Sequence, residues 1–181
     1  MKKGLSLAFL LMLSVAIYAQ KQITKFMGIP VDGSRTAMIQ KLKNKGFVYN
    51  AELDGLAGEF NGEEVIVYPV MNNNKVFRIA VLDLTERNVS QIRLRFNRLL
   101  NQFINNKKYV QLSGRELTEE DDIHYDLSIK NKEIAAYFAQ LPEDNDLGKR
   151  TVWFSINYLN GSYRICIFYD NVFNEANGED L

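Results

Sequence analysis

Residues able to do acid–base or nucleophilic chemistry are sparse in this chain. His124 is its one histidine, and Asp126 stands two positions further on. In a strand that spacing puts both side chains on one side, about 7 Å apart at roughly 3.3 Å of rise per residue. A carboxylate beside an imidazole can orient it as a base, with Ser128 or Ser155 as the nucleophile. The spacing allows this arrangement without specifying a triad, and the alternative is a solvated surface histidine. One histidine and one cysteine, Cys166, cannot assemble the usual zinc clusters. Glu119-Glu120-Asp121-Asp122 and the loop Glu143–Gly148 could offer oxygens to calcium. Placing Gly148 sixth in an EF-hand loop puts Leu147 fifth and Glu143 first, which breaks that pattern. Both segments read as solvated charged loops. The sequence contains no phosphate-binding glycine loop, CxxC or GxSxG. Cys166 falls in a predicted strand with no base nearby, the setting of an inert thiol. No metal or cofactor is expected.

A surface for binding is easier to derive. Asn160-Gly161 is a two-residue hairpin signal, so position 159 faces 162 and the strands on either side are in fixed register. One face then holds Val152/Tyr169, Phe154/Ile167, Ile156/Ile165 and Tyr158/Tyr163, and reads as core. The other holds Trp153/Phe168, Ser155/Cys166 and Asn157/Arg164. Trp153 and Phe168 should stack across strands in a position outside the core. An aromatic pair beside polar groups suits contact with a sugar or a protein; alternatively, a helix or loop covers it. The preceding segment reads as a hairpin of Ile123–Lys130 and Glu133–Leu141 about Asn131-Lys132. Its outer face would carry His124, Asp126 and Ser128 opposite Ala135, Tyr137 and Ala139. The candidate binding surface is therefore Trp153, Phe168, Tyr137, His124 and Arg164.

These strands need elements to hold them. Ser34 is an N-cap placed after the turn formers Asp32 and Gly33, and Met38, Ile39 and Leu42 follow on one arc. Gly46 supplies the left-handed stop, with Phe47 placed for its hydrophobic contact. Strands are expected from Phe47, over Leu56–Phe60 and Glu63–Val70 about Asn61-Gly62, and over Val76–Leu84 after Asn72-Asn73-Asn74. Asn88 with Gln91 forms a capping box for a second helix, striped by Ile92, Phe96, Leu99, Leu100, Phe103 and Ile104. Arg87, Arg93, Arg95 and Arg98 lie on or near this helix, Arg95 and Arg98 together beside Gln102 off the stripe and Arg93 on another side. They could recognise an acidic partner, but are expected to flank the stripe and pair with surface carboxylates. The order predicts an α+β fold: an antiparallel sheet, helix–meander–helix–meander, with two helices on one face. The expected organisation is one domain over residues 20–173 and a flexible tail over 174–181. The element order suggests pseudo-repeated halves at 22–86 and 87–173, although no firm sequence period supports a duplication.

The ends and the composition set the compartment. Met1-Lys2-Lys3, an apolar run from Leu5 to Ile17, and Ala19 before Gln20 describe a signal peptide cleaved after residue 19. The run is short of the roughly 20 residues a membrane span needs. No cysteine follows it to take a lipid, so the product is expected in a periplasm or outside the cell. Without Lys2 and Lys3 the chain has 20 basic against 22 acidic residues, which argues against nucleic acid as a partner. A single cysteine allows no intrachain disulfide, so stability must come from packing.

The start of the mature chain, Phe26-Met27-Gly28-Ile29-Pro30-Val31-Asp32-Gly33-Ser34, with Lys41-Leu42 and Lys45-Gly46-Phe47 after it, resembles a group of uncharacterised secreted proteins of Gram-negative bacteria. They share an F-M-G-I-P-[VIL]-D-G-[ST] opening behind a signal ending in Ala-Gln. The resemblance spans about two dozen residues and implies export, but no activity or catalytic residue. In element order alone, the chain is similar to the tandem modules of proteinaceous β-lactamase inhibitors. The function expected is that of a non-enzymatic binding protein for an envelope protein or glycan. The alternatives are an inhibitor of a hydrolase, and an enzyme built on His124 and Asp126.

Overall fold

Phe26 and Ile29 face each other across a two-residue turn, Met27-Gly28, with both turn residues at positive φ. This turn joins strands β1 (Lys25–Phe26) and β2 (Ile29–Pro30). The computed structural model describes residues 22–142 and 145–175, so the expected signal peptide lies outside the described residues. Helix α1 (Arg35–Lys43) starts at Ser34, whose hydroxyl accepts from the Ala37 amide. It stops where the Phe47 and Gly46 amides donate back to the Leu42 and Lys43 carbonyls, with Gly46 at φ +98°. That is the paired-bond stop a C′ glycine permits.

Strands β3 (Val48–Asn50), β4 (Gly55–Phe60), β5 (Glu63–Asn72) and β6 (Lys75–Asp83) follow as a meander. Two of its turns place Asn61-Gly62 and Asn73-Asn74 at positive φ, which the primed hairpin turns require. Helix α2 (Val89–Ile104) opens on the expected Asn88/Gln91 capping box. After it come β7 (Tyr109–Ser113), helix α3 (Ile123–Ser128), β8 (Ala135–Gln140), β9 (Thr151–Leu159) and β10 (Ser162–Asp170). The described residues build one eight-stranded antiparallel sheet in the order β3-β4-β5-β6-β10-β9-β8-β7. The first meander meets the last strand at its centre, through Val81↔Ile167 and its neighbours.

One face of this sheet is core. The row Leu56, Val67, Val81, Ile167, Phe154 and Ala136 crosses six strands in register, with every member almost fully buried. The buried side chains of the helices belong to the same apolar cluster: Met38 and Leu42 of α1, Ile92, Phe96 and Phe103 of α2, and Ile123 of α3. The alternate residues of the strands are mostly half-exposed.

Four expectations are corrected. Residues 123–128 are helical, so the hairpin about Asn131-Lys132 does not exist and the described helices number three. Asp122 caps α3 by accepting from the Tyr125 amide, and Ile123 and Leu127 pack inward while Tyr125 and Ile129 stay exposed. An alternating run of four apolar residues also contains an i, i+4 pair, and the cap decides between the two periods. Strand β8 pairs instead with β7 and β9. Ile104, placed in the apolar stripe, is 47% exposed. Arg95, expected at the surface, is buried against Asp83. Asn174, expected to open the tail, is held in the fold: it donates to Asp32 and to the Val76 carbonyl.

Candidate functional site

The register of β8, β9 and β10 sets Tyr137, Trp153 and Phe168 side by side in one row, continued by Ala80 and Tyr68. All five are half-buried, on the face away from the helices' core cluster. The rings stack in sequence: Tyr137 on Trp153 with centroids 5.3 Å apart and planes 11° from parallel, then Trp153 on Phe168 at 4.2 Å and 26°. The Trp153–Phe168 stack is the one the hairpin register predicts.

A charged clamp fixes the row. The Arg78 guanidinium lies 5.0 Å from the Phe168 ring centroid and 5.5 Å from that of Trp153, within the range of a cation–π contact. Its Nε and Nη2 donate to the two carboxylate oxygens of Asp170 at 2.5 and 2.8 Å, and Trp153 Nε1 donates to the same carboxylate at 2.8 Å. The Asp170 hydrogen bond raises the Arg78 pKa further, so the cation persists at any physiological pH. At the other end Tyr137 donates its hydroxyl to Glu133 at 2.8 Å. Burial, then that hydrogen bond, pushes the phenol up to about 12. The three stacked rings are therefore neutral near pH 7 and held by hydrogen bonds at Tyr137 and Trp153.

Beside it runs a row of smaller side chains, Ala57, Ile66, Leu82, Cys166, Ser155 and Ala135. Burial pushes the Cys166 thiol up to about 11, which leaves it protonated and unreactive at neutral pH.

The five candidate binding residues do not converge. Tyr137, Trp153 and Phe168 come together, although Tyr137 does so through β9 and not through the expected hairpin. Arg164 shares their face but sits four residues along β10 from Phe168, about 13 Å by strand rise, where it donates to Glu86 at 2.5 Å. His124 belongs elsewhere. Its Nδ1 lies 2.8 Å from the Tyr163 hydroxyl, and its ring meets the Tyr158 ring edge-on at 5.3 Å. Both tyrosines lie on the opposite sheet face from Trp153.

The His124–Asp126 arrangement needed a strand and does not form on a helix. Residues i and i+2 of a helix point to different sides, and Asp126 takes Lys132 at 2.9 Å and Lys130 at 3.2 Å. Those contacts, Lys132 first, hold its carboxyl below the ordinary carboxylate range. The Ser128 hydroxyl donates to the His124 carbonyl at 2.5 Å, and Ser155 sits in the row beside Cys166. The described residues contain no cluster of three or more His, Cys, Asp or Glu fit to hold a metal.

No protein-family profile, curated protein or solved structure matches this chain. What bears on function is thus the row and its clamp.

Sequence reasoning missed Arg78, Asp170 and Glu133. Asp170 was within reach, since its parity along β10 is that of Phe168. Arg78 was not, because it arrives by the pairing of β6 with β10 across more than eighty residues of chain.

Proposed function

We propose that this is an exported, non-enzymatic binding protein that docks a partner protein on the open face of its sheet. The observation that carries the reading is the Tyr137–Trp153–Phe168 stack, clamped by Arg78 and Asp170 on a half-exposed surface. Tyrosine, tryptophan and arginine are the residues that dominate binding hot spots. Here they are already held in place, so association sacrifices little side-chain entropy. The stacking also favours a protein over a glycan. A sugar packs its C–H face on the flat of an aromatic ring, but the faces of Trp153 are occupied by its neighbours and Arg78 covers part of Phe168. What remains outward are ring edges and the row of small side chains, a relief that suits complementary side chains.

Export and the envelope as the partner's location rest on the N-terminal sequence and on the resemblance of its opening motif. Among the described residues no helix is long and apolar enough to cross a membrane. The two halves, 22–86 and 87–173, are read as related units, supported by the mirrored strand orders β3–β6 and β10–β7.

The test is affinity capture from the native envelope and secretome with the mature chain, followed by calorimetry on each protein recovered. Trp153→Ala and Phe168→Ala should each weaken the specific complex at least tenfold while circular dichroism stays unchanged. A complex that both variants bind as tightly as the parent removes this surface assignment. Should the partner be a hydrolase, inhibition of its turnover by the mature chain separates an inhibitor from a scaffold.

A further inference from the structure

A concavity lies on the helix side of the molecule. It has a volume of about 600 Å³ and opens between the β1–β2 turn, the β4–β5 turn, α2, and the ends of β7, β8 and β10. Its inner wall is apolar and aromatic, made of Phe60, Leu99, Phe103, Tyr109 and Tyr169. These rings are mutually fixed: Phe103 meets Tyr109 edge-on at 4.8 Å, and Phe60 meets Tyr169 edge-on at 6.5 Å. Burial, with Tyr109 beside it, raises the Tyr169 phenol well above its usual value, so it stays neutral. The Gln140 amide is already used, exchanging hydrogen bonds of 2.7 and 2.9 Å with the Lys25 backbone. Asn61 donates to Gln102 at 2.8 Å across the mouth.

Two exposed lysines are among the residues that line this concavity. Lys25 and Lys108 line the concavity, neither ammonium group makes an ion pair among the described residues, and no carboxylate lines it. A concavity with an aromatic inner wall, amides (Asn61, Gln102, Asn106, Gln140) and two lysines around it, and no carboxylate, is complementary to an amphiphile with one negative group. The volume falls in the range of sites that take a drug-sized ligand.

We infer that this concavity binds a small amphipathic monoanion, with an apolar body against Phe103 and Tyr169 and its acidic head at Lys25 and Lys108. The site is separate from the open sheet face, and its test does not depend on that proposal.

The probes are 8-anilinonaphthalene-1-sulfonate, followed by fluorescence, and dodecanoate as competitor, both on the mature chain. The expected result is one saturable site with blue-shifted emission. Dodecanoate should displace the dye, and dodecanol, which has the same body without the charge, should do so about tenfold less well. The double variant Lys25→Met/Lys108→Met should weaken dodecanoate about tenfold with an unchanged thermal midpoint. Gln102→Trp, which sets an indole at the mouth from an exposed position, should weaken both probes at least as much. The inference is overturned by non-saturable dye binding, by equal affinity for dodecanoate and dodecanol, or by lysine variants that bind like the parent. It is equally overturned if Phe168→Ala on the opposite face abolishes the signal while Gln102→Trp leaves it intact.

Discussion

Removing the carboxylate of Asp83 should cost about 3–5 kcal/mol of folding free energy, the penalty for leaving a buried charge without its partner. Asp83 is fully buried at the end of β6. Its Oδ2 accepts from Arg95 Nε at 3.0 Å and from Arg87 Nη1 at 3.1 Å. Arg95 is only 2% exposed, so water cannot take the place of the lost anion. The nearest substitute is Glu63, whose Oε1 is 3.5 Å from Arg95 Nε but whose other oxygen already accepts from Arg87 at 2.6 Å. One carboxylate would then serve two buried guanidinium groups. Partial compensation by Glu63 places Asp83→Ala toward the lower end of the range. Asp83→Asn keeps an acceptor oxygen but loses the charge, and should cost about 1.5–3 kcal/mol, the worth of a hydrogen bond to a charged group. The double variant Asp83→Leu/Arg95→Met removes both charges and should be closer to the parent than Asp83→Ala alone. Urea unfolding at pH 7 reads all three, provided the slope is constant across the series. Stabilities of 5–15 kcal/mol are usual, so the single variant remains measurable near 10 °C. A loss below about 1 kcal/mol for Asp83→Ala, or a double variant costing the sum of its parts, would refute the account.

Two further predictions concern smaller groups. Gly58→Ala and Gly161→Ala should fail for different reasons and by different amounts. A Cβ at Gly58 would lie 2.6 Å from the Phe47 ring, an overpacking cost of about 1–3 kcal/mol, whereas one at Gly161 meets nothing within 4 Å and is strained only by φ +85°, about 1–2 kcal/mol. Phe47→Leu should therefore rescue the first and not the second in the same urea assay. Cys166, with its thiol pushed up to about 11 by burial, should react with a disulfide reagent at pH 8 far more slowly in the folded protein than in denaturant. Equal rates would show that the open face is looser than described.

How much of this was legible in the sequence depended on how local the signal was. Asn160-Gly161 and Asn61-Gly62 supply two consecutive positive-φ residues each, and a two-residue loop leaves one register, so the Trp153–Phe168 stack follows from the sequence alone. Ser34 and the Asn88/Gln91 box likewise mark helix starts by chemistry confined to four residues. Ile123 to Ile129 failed because its apolar spacing fits both periods, and the Asp122 cap that decides between them looked like one more charge in an acidic run. That error moved Tyr137 to a false partner and created the His124–Asp126 pair. The fate of the arginines was invisible for a different reason. Arg95 sits beside the apolar stripe of α2, and only the position of Asp83 under that helix turns a surface residue into a buried one. The lysine-rimmed concavity gathers residues from both ends of the described chain, so no window of sequence contains it.

The meeting of β6 with β10 at the centre of the sheet has a consequence for how the chain acquires its structure. The first meander can pair β3 to β6 using neighbours in sequence, yet the outer edge of β6 stays unsatisfied until residues 162–170 are available. Closing contacts of such long sequence separation is slow, because the loop entropy is lost before the pairing repays it. During that interval β6 presents the unpaired backbone N–H and C=O groups of residues 78–82 along an open edge, the kind of template on which a second copy can add a strand. Synthesised N-terminus first, the chain would pass through this state each time it is made. Its aggregation tendency should therefore be set by the arrival of the last strand more than by the stability of the finished sheet.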